Sequence, residues 1–275
     1  MKCINFDQEF QRYLHQWGVK NSKKSQNVEA MENAMPDVYA QFLDTPADFL
    51  AGIKPGEYFE AFSDPRQLVN WMEDYYKQRI PVPDPLLNRI SSLGSASEEA
   101  LMNTLTKEKA KQEAKMCAIS LLREIDSLAP MQFYIQLQIN RSEQDELADA
   151  ALESLQGMGE SAVPQMRAAI TAANRFGQES LLSVLCNYGF DEALFDIALN
   201  LLSQKGPSAP VIADYISRLG DDRALELLTE LAMDEETVYL DYIEYRAAIE
   251  RLGGEPPERK WDSTDPAYEA LRRMQ

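Results

Sequence analysis

The sequence contains few side chains in an arrangement that could do chemistry. Its single histidine, His15, lies in the segment FDQEFQRYLHQW, and no serine, cysteine or aspartate can be paired with it by spacing. A histidine on the flank of a helix is usually structural, so we predict no catalytic residue. The alternative is an enzyme of unknown reaction, with a site near His15 between the N-terminal region and the rest of the chain.

Several carboxylates recur at a spacing of four residues, which places two of them on one face of a helix. Asp145 and Asp149 form one such pair, and Glu226 and Glu230 form another. Such a pair could bind a metal ion or act as acid and base. A chain with 45 acidic residues contains such pairs by chance, so a solvent-exposed face is preferred. The sequence also lacks glycine-rich phosphate loops, and we predict neither a metal ion nor another cofactor.

The second half of the chain is strongly acidic. Residues 1–140 hold 15 basic and 19 acidic side chains, residues 141–275 hold 12 and 26, and the formal net charge is −18. Nucleic acids and anionic membranes are bound through basic side chains, so we predict neither as a partner, whereas a basic protein would be attracted. The one basic cluster is interrupted by Glu108 and Glu113 and is expected to be an exposed helix; its members are Lys107, Lys109, Lys111 and Lys115.

Cysteine usage and apolar runs indicate a cytoplasmic protein. The cysteines Cys3, Cys117 and Cys186 are far apart, and no C-x-x-C spacing suggests a zinc site or a redox pair. The N-terminus lacks the apolar segment of a secretory signal, and no apolar run is long enough to span a membrane. We therefore expect a reducing compartment.

Apolar residues recur at helical spacing throughout, and strand patterns are scarce, so we predict an all-α fold. A helix that ends in an apolar residue and a glycine occurs four times, at Gly159, Gly189, Gly220 and Gly253. A short polar turn and a second apolar helix follow the first three. A weaker copy ends at Gly94, and another has Ala129 in the glycine position. A two-helix unit that repeats every 30–35 residues indicates a solenoid, because one hairpin cannot bury its own apolar face.

The segments GESAVPQMRAAI and GDDRALELLTEL resemble the inter-helix turn and second helix of HEAT repeats, and the resemblance covers roughly residues 84–253. Two units depart from the pattern: GFDEALFDIAL lacks the proline, and the unit around Ala129 lacks the glycine. The resemblance implies an α-α superhelix, a curved stack whose second helices line the concave face. HEAT proteins mostly bind other proteins, although a few such folds bind damaged DNA or attach pigments. A nucleic-acid-binding HEAT-like protein is thus a further alternative, which the acidic charge disfavours.

Three regions are predicted along the chain. Residues 1–80 form a non-repeat helical region. Its first helix, in FDQEFQRYLHQW, has Phe6, Phe10, Tyr13, Leu14 and Trp17 on one side. A second helix lies in VEAMENAMPDVYAQFLD, where Pro36 kinks the helix or begins a new one, and two more start at TPADFL and SDPRQL, with Thr45 and Ser63 as the predicted caps. The proline-rich PVPDP segment at 81–85 begins the repeat solenoid, which extends over residues 81–260. Residues 261–275 form a capping helix that starts near Asp265 and Pro266.

The second helices carry the candidate partner-binding residues. Gln165 and Arg167 lie on one, and more acidic pairs follow on the next two, so the concave surface becomes more acidic toward the C-terminus. Tyr239, Tyr242 and Tyr245 add aromatic side chains, for which core packing and partner binding are the two interpretations. The resulting hypothesis is a non-enzymatic protein-binding or scaffold protein that holds a basic segment; its predicted contacts are Asp196, Asn200, Glu226, Glu230 and Tyr242.

Overall fold

Fifteen α-helices joined by short turns and 3-10 segments occupy residues 3–21, 28–261 and 265–273, the part of the chain that the computed structural model describes. These ranges contain no β-strand, which confirms the predicted all-α fold. The helices are α1 (Phe6–Lys20), α2 (Val28–Asp44), α3 (Pro65–Gln78), α4 (Asp84–Ser92), α5 (Glu98–Thr106), α6 (Gln112–Glu124), α7 (Met131–Ile139), α8 (Glu146–Gly157), α9 (Val163–Ala169), α10 (Arg175–Leu185), α11 (Glu192–Ser203), α12 (Ala209–Leu219), α13 (Leu225–Met233), α14 (Tyr239–Arg251) and α15 (Pro266–Arg272). None of the described helices is long and apolar enough to cross a bilayer.

The chain divides into two compact units, Met1–Pro130 and Met131–Gln275. In the first unit, aromatic rings join α1 to the segment that follows α2. The Phe6 ring lies 5.8 Å from the rings of Phe49 and Phe59, and Phe42 stacks on Phe49 at 6.4 Å. The side of α1 that the sequence predicts to be apolar therefore packs inward, with Phe6 and Leu14 buried.

The proline-rich segment at 81–85, where the sequence places the start of the solenoid, lies inside the first unit. Its prolines begin α4, because Pro83 takes the N-cap position and Pro85 the first turn, where a missing N–H costs nothing. Contacts cross this segment: the Arg89 Nε atom donates to the carbonyl of Phe62 at 2.9 Å. Residues on both sides of PVPDP thus belong to one core.

The helix α2 continues through Pro36, so a new start there is excluded and the kink stays a prediction. Three other local expectations for the first unit need correction. The TPADFL segment forms only the 3-10 turn Asp48–Leu50. Asp64, and not Ser63, caps α3, since its carboxylate accepts from the Arg66 amide at 3.0 Å. The basic cluster is a turn between α5 and α6 up to Lys111, and only its last lysine lies in a helix.

The second unit consists of two layers of helices. The helices α8, α10, α12 and α14 contact each other in succession and form the first-helix layer. The second-helix layer contains α7, α9, α11 and α13, of which α7 contacts α9 and α11 contacts the 3-10 turn that continues α9. Packing between the layers buries the apolar residues that recur every three or four positions, such as Leu182, Leu201 and Leu228.

A residue with left-handed backbone ends the first helix of each repeat. All five predicted glycines have positive φ values, between 57° and 85°. In the remaining repeat the left-handed residue is Asp126, with φ 53°, and not Ala129 as predicted. The left-handed positions are Gly94, Asp126, Gly159, Gly189, Gly220 and Gly253, at intervals of 32, 33, 30, 31 and 33 residues. The repeat is therefore more regular than the sequence indicates.

Polar contacts at nearly the same spacing link two successive repeats, those whose first helices end at Gly189 and at Gly220. Arg218 donates to the side-chain oxygen of Asn187 at 2.8 Å, and these residues are 31 positions apart. The same spacing separates Arg223 from Glu192, and Ser208 lies 29 positions after Glu179, to which it donates at 2.8 Å. Nearest-neighbour contacts of this kind characterise stacked repeats.

The last helix of the second unit begins where the sequence predicts, at Pro266. The Asp265 carboxylate accepts from the amides of Ala267 and Tyr268 at 2.9 and 3.0 Å, and its other oxygen accepts from the Tyr239 amide. The Tyr268 ring lies 5.1 Å from the Tyr239 ring. The short helix α15 is thereby attached to the start of α14.

Candidate protein-binding groove

An open groove lies between α11 and α13 in the second-helix layer and encloses about 480 Å³. Four of the five residues predicted to bind a partner line it, and none of these four is buried. We call it the α11–α13 groove; its residues are Asp196, Leu199, Asn200, Ser203, Arg223, Glu226, Leu227 and Glu230. The structure therefore brings together Asp196, Asn200, Glu226 and Glu230, which belong to two different repeats.

The apolar pattern of each helix orients these side chains. In α11, Leu194, Phe195, Ala198, Leu201 and Leu202 are buried, so the positions between them face solvent. The same holds for α13, where Leu228, Leu231 and Ala232 are buried. A spacing of four residues corresponds to about 6 Å along a helix, so each helix contributes two polar groups in a row.

Three carboxylates of the groove, those of Asp196, Glu226 and Glu230, take part in no ion pair and no side-chain hydrogen bond among the described residues. Lys205 pairs with Asp234 and acts on Glu230 only through its charge. Arg223 is the one basic residue that lines the groove, and its guanidinium is engaged elsewhere. It binds the carboxylate of Glu192 at 2.7 Å and that of Asp221 at 2.8 Å.

Arg223 was not predicted as part of the site, because it lies in the 3-10 turn before α13 and not on a helix face. Its hydrogen bonds lower the pKa of Glu192 and of Asp221 below their ordinary values. The guanidinium also lies 4.5 Å above the ring of Phe195. Arg223 is thus held by Glu192 and Asp221 and forms no ion pair with Asp196, Glu226 or Glu230.

The preceding second helix, α9, does not extend the groove. Arg167 donates to the carbonyl of Tyr188 at 3.0 Å and lies 3.3 Å from the carboxylate of Asp191. Gln165 is half-buried, and its side-chain oxygen has no partner among the described residues. Neither residue lines the α11–α13 groove.

Tyr242, the fifth predicted contact, lies in the core and not in the groove. It is 5% exposed, its hydroxyl donates to the carbonyl of Pro257 at 2.8 Å, and its ring lies 5.4 Å from that of Trp261. Tyr245 is buried as well. Core packing is therefore the correct interpretation of these two tyrosines, and Tyr242 stabilises the end of the second unit.

The spaced carboxylate pairs form no metal site among the described residues. Asp145 caps α8 by accepting from the Ala148 amide at 3.0 Å, whereas Asp149 binds the guanidinium of Arg141 at 2.5 Å. Glu226 and Glu230 lie side by side in the groove without a third ligand.

His15 is exposed on α1 beside a shallow depression in the first unit. The depression is lined by Gln8, Gln11, Arg12 and Gln16 in addition to the histidine. None of these side chains is a nucleophile that the imidazole could activate.

Comparison with known proteins adds no further information on the groove, since no family model, no curated protein and no solved structure matches the chain. The function is therefore inferred from the fold and from the chemistry of the groove residues.

Proposed function

We propose that this protein is a non-enzymatic binding or scaffold protein that holds a basic segment of another protein in the α11–α13 groove. The observation that carries the proposal is the set of three free carboxylates, Asp196, Glu226 and Glu230, which one groove joins from two repeats. Lysine or arginine side chains of a partner would supply the missing positive charge, and charge complementarity of this kind increases association rate and specificity.

The partly exposed leucines support a protein partner over a free cation. Leu199 and Leu227 lie between the carboxylates and offer apolar surface to the stems of lysine or arginine side chains. A strongly negative groove also repels phosphate groups, so a nucleic acid is disfavoured. The proposed partner is therefore a basic polypeptide.

The proposal includes a HEAT-like solenoid architecture and a cytoplasmic location. The regular interval between left-handed positions and the contacts between successive repeats support the first. Three cysteines without a disulfide support the second, because disulfides form mainly in oxidising compartments.

The test compares two full-length variants of equal charge in a quantitative pull-down from native lysate. The groove variant carries Asp196→Lys, Glu226→Lys and Glu230→Lys. The control variant carries Glu60→Lys, Glu108→Lys and Glu160→Lys, all at exposed positions outside the groove. Each replacement of a carboxylate by a lysine changes the net charge by two units. Three replacements therefore change it from −18 to −12 in both variants.

We expect a basic protein that the wild type and the control variant capture, and whose capture falls by about tenfold in the groove variant or at high salt. Circular dichroism would confirm that both variants are folded. Equal capture by the two variants would contradict the proposed groove. If nucleic acid is captured instead, and its capture requires the lysines of the turn between α5 and α6 (Lys107, Lys109 and Lys111), the nucleic-acid alternative would be favoured.

A further inference from the structure

A second groove, of about 490 Å³, lies in the first-helix layer of the second unit. The helices α8, α10 and α12 line it together with the turns before α8 and α12, and we call it the α8–α10–α12 groove. It shares no residue with the α11–α13 groove. Three successive repeats therefore contribute to a surface that the sequence pattern of the second helices does not reveal.

A buried arginine fixes one wall of this groove. Arg141 is only 7% exposed, and its guanidinium donates to the Gln138 side chain at 3.2 Å, to the Ser180 hydroxyl at 2.5 Å and to the Asp149 carboxylate at 2.5 Å. Gly177 makes this arrangement possible, because a Cβ atom there would lie 2.1 Å from the Gln138 carbonyl oxygen. The start of α10 thus packs directly on the end of α7, and the wall is held in place before any ligand arrives.

Large apolar side chains remain exposed in the groove. Phe176 on α10 is 36% exposed, and Val211 on α12 is 50% exposed. Leu152 and Pro207 add further apolar surface to the lining. Exposed side chains of this kind that share one groove mark a position where an apolar group of a ligand can be buried.

The charges beside this apolar surface are mostly negative. Three carboxylates line the groove against one guanidinium, that of Arg141. Asp149 is paired with this arginine, and Glu179 is bound by Arg175 and Ser208. Glu143 is exposed and has no partner among the described residues. The groove therefore combines an apolar surface with one free carboxylate.

We propose that the α8–α10–α12 groove is a second docking surface, which binds a partner-protein segment with an apolar side chain next to a lysine or arginine. The apolar side chain contacts Phe176 and Val211, and the cation pairs with Glu143. This surface goes beyond the proposed function, because it lies in the other helix layer and uses different residues.

The probe is a phage-displayed library of random dodecapeptides, selected on the full-length groove variant that carries lysine at 196, 226 and 230. Selection on this variant removes the attraction of basic peptides to the other groove. Selected peptides are synthesised, and their Kd values are measured by fluorescence anisotropy for the same groove variant, alone and with Val211→Lys or Glu143→Lys added. Glu160→Lys, added to the groove variant, is the matched control for the charge change in Glu143→Lys. Val211, Glu143 and Glu160 are all exposed, so the variants should fold, which thermal unfolding would verify.

We expect enrichment of peptides with an apolar residue beside a basic one. The Kd should rise by about tenfold in Val211→Lys, which replaces apolar surface by a charge, and in Glu143→Lys, which replaces attraction of the cation by repulsion; it should stay within about twofold in the control. The absence of enriched peptides, or an unchanged Kd in Val211→Lys, would overturn the proposal. Self-association of the wild type that Val211→Lys abolishes would assign the groove to a second copy of the chain and would overturn it as well. None of these results depends on the α11–α13 groove.

Discussion

Glu73 on α3 is almost completely buried, and its carboxylate joins α3 to α5 and to the turn that follows. Thr104 donates to one oxygen at 3.0 Å, and Lys107 donates to the other at 2.6 Å. Lys77 lies 3.4 Å from the same second oxygen. Burial by itself raises the pKa of Glu73, but the hydrogen bonds from Lys107 and Thr104 and the two lysine charges outweigh it. The net pKa lies below its ordinary value.

A group whose pKa is lower in the folded state stabilises the protein above its unfolded-state pKa, and this contribution is lost as the pH falls through the folded value. We therefore predict that Glu73→Gln lowers the free energy of unfolding by about 1–2 kcal/mol at neutral pH, allowing for solvent around the lysines. The difference from the wild type should shrink as the pH falls from neutral into the acidic range below the ordinary pKa of a glutamate. Urea unfolding over this range would measure it, with exposed Glu60→Gln as the control. A difference independent of pH would show that the charge of Glu73 is not responsible.

At the scale of the helix, the left-handed residue after each first helix determines where the chain turns. Glycine adopts this conformation without steric cost, whereas a residue with a Cβ atom costs roughly 1 kcal/mol. Asp126 holds this position after α6 with φ 53° and no described side-chain contact. Gly220 holds the equivalent position after α12 with φ 80°.

We predict that Asp126→Gly stabilises the protein by about 0.5–1 kcal/mol, because it relieves strain at a position where the side chain contributes nothing. The matched change Gly220→Ala should destabilise it by about 1 kcal/mol, because it introduces the same strain. Denaturant unfolding of both variants measures the two effects. A loss of stability in Asp126→Gly would mean that the aspartate makes a stabilising interaction in this turn.

The left-handed positions also show which features the sequence can predict and which it cannot. Glycine is the residue that most often adopts the left-handed conformation, so the sequence predicts the repeat at five positions. Aspartate also tolerates this conformation, and the sixth position, Asp126, therefore has no glycine to mark it. Helical spacing placed Asp196 and Glu230 on the exposed sides of two neighbouring second helices, as the structure has them. It could not predict the role of Arg223, which depends on a turn and on a contact 31 residues away. Tyr242 was misassigned because periodicity alone does not distinguish a core tyrosine from an exposed one.

For the molecule as a whole, the net charge of −18 opposes compaction, because carboxylates repel one another in the folded state. The surface ion pairs work in the opposite direction, but exposed pairs contribute only about 0–1 kcal/mol each. Lys205 with Asp234 and Arg246 with Glu250 are examples in the second unit. The balance of these two effects determines how the stability responds to salt.

We predict that added sodium chloride raises the temperature of thermal unfolding. The screening length falls from about 30 Å at 0.01 M salt to about 10 Å at 0.1 M, so repulsion between distant carboxylates is removed before close ion pairs are weakened. Each kcal/mol gained should raise the midpoint by about 2–4 °C in domains of this size.

Circular dichroism melting of the wild type and of the control variant with lysine at 60, 108 and 160 would test the origin of the effect. The variant, with a net charge of −12, should gain less than the wild type. A midpoint that falls with salt would instead show that ion pairs such as Arg223 with Glu192 dominate the electrostatic free energy.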